Sequence, residues 1–68
     1  MITFDLTLYR KEAIEQACED YQELADIHCS EKNGQILCRI DNPKGDEQMI
    51  ADEFCNYVLN LSVLIGGT

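Results

Sequence analysis

The sequence predicts an α+β domain, a two-layer sandwich in the order β-α-β-β-α. It would hold a three-stranded mixed sheet with two helices on one of its faces. Three observations point there. Apolar and polar residues alternate over residues 2–8, the mark of a half-buried strand. The apolar spacing changes to three and four over residues 11–24 and again after Asp46, the mark of amphipathic helices. Between the helices, two alternating stretches flank Lys32-Asn33-Gly34-Gln35, a strong hairpin signal. At 68 residues the chain makes one domain, residues 1–68.

In the first stretch Ile2, Phe4, Leu6 and Leu8 point one way, and Thr3, Asp5 and Thr7 the other. The first helix buries Ala13, Ile14, Ala17, Cys18, Tyr21, Leu24 and Ala25. Its opposite side carries Glu12, Glu15, Gln16, Glu19, Asp20 and Glu23. Its start is poorly capped, since Arg10 stands where Ser or Asp would accept a hydrogen bond and Lys11 opposes the helix dipole. Thr7 offers an earlier cap.

Asn33 and Gly34 tolerate the positive φ of a two-residue type I′ turn, and that turn sets the register. Lys32 then faces Gln35, Glu31 faces Ile36, Ser30 faces Leu37, Cys29 faces Cys38, His28 faces Arg39 and Ile27 faces Ile40. One face collects Ile27, Cys29, Ile36, Cys38 and Ile40. The other collects His28, Ser30, Lys32, Gln35, Leu37 and Arg39. A slip of one residue would mix the two sets.

Asp41-Asn42-Pro43-Lys44-Gly45 is a loop, rich in turn formers. Asp46 caps the second helix, whose stripe runs through Ile50, Phe54, Tyr57, Val58, Leu61 and Ile65 and stops at Gly66-Gly67. Leu59, Val63 and Leu64 widen its apolar arc, which marks them as a contact surface for a protein partner or a second copy. The helix joining the first two strands would be a crossover, making those strands a parallel pair if they are adjacent.

The net charge of -8 is spread along the chain, -5 in the first 34 residues and -3 in the last 34. Such a surface repels nucleic acid and anionic lipid, so neither is expected as a partner. The most apolar stretch, residues 58–65, is far short of the ~20 residues that span a bilayer. The N-terminus lacks a signal peptide's basic and apolar regions. The expected compartment is the cytoplasm, where thiols stay mostly reduced.

Phe4-Asp5-Leu6-Thr7-Leu8-Tyr9, followed by Glu12-Ala13-Ile14 and Ala17, resembles the start of the His-Xaa-Ser system protein D (HxsD-like) family. Glu53-Phe54-Cys55-Asn56-Tyr57-Val58-Leu59 is similar to that family's C-terminal helix. The resemblance implies a small accessory protein of a radical S-adenosylmethionine peptide-modifying system, not itself an enzyme. It carries over no catalytic residue. Tyr9, Phe54 and Asn56 match by type, as residues that shape the fold. The chain departs from the family at Arg10, where a capping Ser is common, and lacks the basic tail of some members.

Cys18, Cys29, Cys38 and Cys55 are separated by 10, 8 and 16 residues, with no C-x-x-C motif. Each falls on or beside an inward face, where a free thiol behaves as a small hydrophobe. Two sharper alternatives exist. Cys29 and Cys38 occupy a non-hydrogen-bonded pair, about 4.5 Å between Cα atoms, at the short end of disulfide geometry. With Cys18 and Cys55 they would also make a four-thiolate metal site, if both helix residues reached one point above the hairpin.

His28 is the only histidine and sits on the open face opposite Arg39, with Ser30 about 6.6 Å along the same strand and no triad to complete. Glu12, Glu15, Glu19 and Glu23, with Asp52 and Glu53, read as solvated faces rather than metal carboxylates. The leading expectation is a small non-catalytic accessory or interaction protein, with no cofactor. The alternatives are a cysteine-based metal-binding or redox module and a homodimeric structural domain.

Overall fold

The first strand, β1, is Ile2–Asp5, three residues shorter than the alternation suggests. Asp5 ends it. Its Oδ1 accepts hydrogen bonds from the Thr7 N–H and the Thr7 hydroxyl, both at 2.8 Å. Its carbonyl accepts the N–H groups of Leu8 and Tyr9. The chain therefore turns where a carboxylate offers it a local alternative to the ladder. Leu8, expected inward, is 74% exposed. The structure is a computed structural model and describes residues 1–66, with side-chain surroundings to residue 64.

Helix α1 is Lys11–Asp20, four residues shorter than its apolar spacing suggests. Arg10 is its N-cap and makes no side-chain cap bond. The neighbouring helix lends support instead, since Ser62 Oγ accepts the Arg10 N–H at 3.2 Å. At the other end Glu19 and Asp20 sit at the negative pole of the dipole, and the last turn holds no base. The chain leaves the helix through turns at residues 21–24. Leu24, expected inward, is exposed, and Ala25 is buried in its place.

Strands β2, Asp26–Lys32, and β3, Gln35–Asp41, form the hairpin. Asn33 and Gly34 have φ of 52° and 76°, as a type I′ turn requires. The pairs from Lys32↔Gln35 to Ile27↔Ile40 are those the turn implies. Asn42, at φ 50°, closes the far end by donating to Asp26 Oδ2. Helix α2, Glu47–Gly66, follows, with Asp46 Oδ1 accepting the Met49 N–H. Ile65 lies outside the described side chains and Gly67 outside the described residues, so the end of that stripe and of its stop signal is not described.

The strand order is β1-β3-β2. Both ladders are antiparallel. The edge strands β1 and β2 run the same way on either side of β3. They are not adjacent, so the parallel pair does not form and α1 crosses over β3 to reach the far edge. Phe4, Ile27, Ile36 and Cys38 of the sheet close a core with Ile14 and Ala17 of α1 and Phe54 and Val58 of α2. Phe54 is its largest fully buried side chain, with Phe4 and Tyr21 edge-on at 5.9 and 5.5 Å. The opposite sheet face is open to water, and His28, Ser30, Lys32, Gln35 and Arg39 on it are exposed.

Candidate metal centre

Two local rules bring three cysteines together. The Asn33-Gly34 turn sets Cys29 opposite Cys38, on the face that carries the core. Helical spacing sets Cys18 four residues after buried Ile14 and beside buried Ala17, so its side chain leans over the β2 edge. Cys18 Sγ lies 2.6 Å from Cys29 Sγ, and Cys29 Sγ lies 2.8 Å from Cys38 Sγ. All three sulfurs fall within 4.8 Å of one another. Cys55 is outside this group. It is half-buried beside Phe54 on α2, and burial together with Asp52 one turn back raises its thiol pKa.

Access is graded across the cluster. Cys38 is buried, Cys18 half-buried and Cys29 exposed. All four cysteines were expected on or beside inward faces as small hydrophobes, and Cys29 is on that face yet exposed. It points to the helix side of the sheet, but β2 is an edge strand and helix cover runs out there. Beside it a recess of about 140 Å³ is lined by Lys11, Glu15, Cys29, Ser30, Glu31 and Ile36. Lys11 Nζ pairs with Glu31 at 2.8 Å, tying the start of α1 to β2 across this recess.

The thiols share protons unequally. Hydrogen bonding from the Cys38 thiol, with help from Cys29 and against partial burial and the charge of Glu15, brings Cys18 down to about 7. Burial and the hydrogen bond shared with Cys18 push Cys29 up to about 12. Cys38 is pushed up as well, first by its hydrogen bond with Cys18 and then by burial. Near neutral pH Cys18 is therefore about half thiolate, beside two thiols that keep their protons.

This donor set is soft. Thiolates select zinc, copper(I) and similar ions, and three protein sulfurs leave a fourth position for water or a second ligand. A tetrahedral zinc–thiolate centre has sulfurs about 3.8 Å apart, from Zn–S bonds of about 2.3 Å. The two short edges would open by about 1 Å to admit the ion. Exposed Cys29 belongs to both edges, and it is the side chain with room to move.

The other candidate residues lie elsewhere. His28 is on the open face, its Nε2 3.7 Å from Asp41 Oδ2, which also accepts from Arg39 Nε at 2.9 Å. The sheet separates it from the sulfurs, so it is no base for chemistry there. Glu12, Glu15, Glu19 and Glu23 are exposed, as are Asp52 and Glu53. Leu59, Val63 and Leu64 are 48%, 59% and 76% exposed along the last turns of α2. Glu15 was read only as part of a solvated face, yet its spacing of three from Cys18 on one helix could have flagged it as the acid nearest the thiols. Among the described residues no helix is long and apolar enough to cross a membrane. Comparison with models of known families, with curated proteins and with solved structures finds no match for this chain.

Proposed function

We propose that this chain is a small thiol-based metal-binding domain that holds one zinc ion on Cys18, Cys29 and Cys38. The observation that carries this reading is the convergence of three sulfurs from a helix and two strands within 4.8 Å. Three soft donors suit zinc, and the exposure of Cys29 leaves the ion reachable for exchange with another ligand. The exposed sulfur supports holding the ion and handing it on. The chain's net charge of -8 favours the approach of a cation.

The test is zinc titration of reduced, metal-free protein, read by native mass spectrometry. One zinc per chain is expected for the wild type and for Cys55→Ser. Cys18→Ser, Cys29→Ser and Cys38→Ser should each lose it or bind far more weakly. A wild type that stays metal-free, or a Cys55→Ser variant as impaired as the others, would sink the proposal.

The exposure of Leu59, Val63 and Leu64 supports a second reading, the accessory role that the His-Xaa-Ser resemblance implies. In it the last turns of α2 dock a protein partner. Leu64→Glu should then weaken binding to the radical S-adenosylmethionine enzyme of such a system in a purified two-component assay. Unchanged binding would remove α2 from that role.

A further inference from the structure

We infer that the three sulfurs also form a thiol–disulfide switch with Cys29 as its hub, so that closing the switch takes donors away from the metal. The metal consequence rests on the function proposed above, but the hub does not. Cys29 Sγ is within 2.8 Å of both other sulfurs, and it is the sulfur common to both short contacts. Its backbone pairing with Cys38, at a non-hydrogen-bonded position of the hairpin, falls within the Cα separation that a disulfide spans. Cys18 approaches it from α1, so a bridge to either partner needs only side-chain movement. Cys55 is not part of the group. One disulfide can form at a time; Cys18 and Cys38, within 4.8 Å of each other, lack the short contact that each makes with Cys29, so Cys29 is one end of it.

An oxidant of the hydroperoxide class completes the chemistry. In the wild type the Cys18 sulfur attacks the peroxide oxygen as thiolate, the O–O bond breaks, and the departing alkoxide takes a proton and leaves as alcohol; without Cys18, exposed Cys29 takes the same step beside Cys38. Cys18 is then a sulfenic acid. Cys29 sulfur attacks the Cys18 sulfur, the S–O bond breaks, and hydroxide leaves with the Cys29 proton as water. Two thiols have lost two electrons and the peroxide has gained them. Cys38 can next attack the Cys29 sulfur, passing the disulfide to the hairpin and returning Cys18 as a thiol. Either closed form leaves a single free thiol in the cluster, too few to hold zinc as proposed.

The experiment treats reduced, metal-free protein with hydrogen peroxide and reads intact mass and non-reducing peptide maps. The wild type should lose two hydrogens per chain and show one intramolecular disulfide ending at Cys29. Cys18→Ser should close Cys29–Cys38, Cys38→Ser should close Cys18–Cys29, and Cys55→Ser should match the wild type. Cys29→Ser should close none, although three thiols remain. Cys29→Ala, at the same exposed site, repeats that test without a hydroxyl. An intramolecular disulfide in either Cys29 variant would overturn the inference, as would a wild type that oxidises to sulfinic acid without closing a bridge. In a separate arm, zinc-loaded protein should release its ion in step with the disulfide, read by a chromogenic chelator. Zinc kept after closure would overturn the switch. The zinc content of untreated protein decides the metal reading by itself, and the metal-free map decides the hub whatever that content is.

Discussion

Proton release on zinc binding tests the electrostatics of the cluster. At pH 7 a Cys18 thiol with pKa about 7 is half ionised, while Cys29, near 12, and Cys38 are still protonated. Making three thiolates at that pH releases about 2.5 protons. At pH 9 Cys18 has already lost its proton, and the count settles at about two. Three independent thiols of ordinary pKa, about 8.5, would release only about 0.7 at pH 9. The sign follows from competition between protons and metal: raising the pH strengthens binding. Each released proton is worth a factor of ten per pH unit, so affinity should rise roughly a hundredfold from pH 8 to 9. Below pH 7 the slope should approach three. Calorimetric zinc titration in two buffers of different ionisation heat gives the count directly. A metal-bound water that ionises at the fourth position would add to it, so fewer than one proton at pH 9 refutes the coupled cluster either way.

Two further predictions concern the scaffold. Phe54→Ala removes the largest fully buried side chain and should cost about 3–5 kcal/mol. A domain of 68 residues has roughly 3–10 kcal/mol in total, so the substitution should remove at least about a third of it, read as a lowered urea midpoint by near-ultraviolet circular dichroism. A native spectrum with under 1 kcal/mol lost in urea would contradict the packing. Ser62→Ala leaves the Arg10 N–H without its 3.2 Å partner and should cost about 1 kcal/mol by urea midpoint. No shift would mean that water replaces the hydroxyl there.

The hairpin and both helices were legible because one local rule governed each. Asn33-Gly34 allows one tight turn, and that turn fixes every pair down to Ile27 and Ile40. Asp46 is an ordinary cap, and Ile50, Phe54 and Val58 keep helical spacing. The errors arose where two rules competed. Residues 6–8 continue the alternation of β1, but the Asp5 carboxylate captures the backbone first. Leu24 continues the apolar spacing of α1, but Glu19, Asp20 and Glu23 sit where the dipole wants cations. The strand order was hidden because pairing β1 with β3 depends on packing between distant segments, which no short pattern records.

The cysteine site shows the same division between local and distant information. That Cys29 faces Cys38 follows from the turn alone. That Cys18 joins them needs the placement of α1 over β2, which follows from burial of Ile14 and Ala17 and is accompanied by the Lys11–Glu31 pair. The spacings of 10, 8 and 16 look uninformative because metal motifs are recognised when neighbouring ligands share one turn. Here each ligand comes from a different element, and the fold does the work that a C-x-x-C turn does elsewhere. Cys55 has the same residue type and an adequate spacing, yet it follows Phe54 on a helix whose sheet-facing positions are filled by core side chains. The sequence could name the four candidates; only the packing of α1 and α2 separates the three that meet from the one that does not.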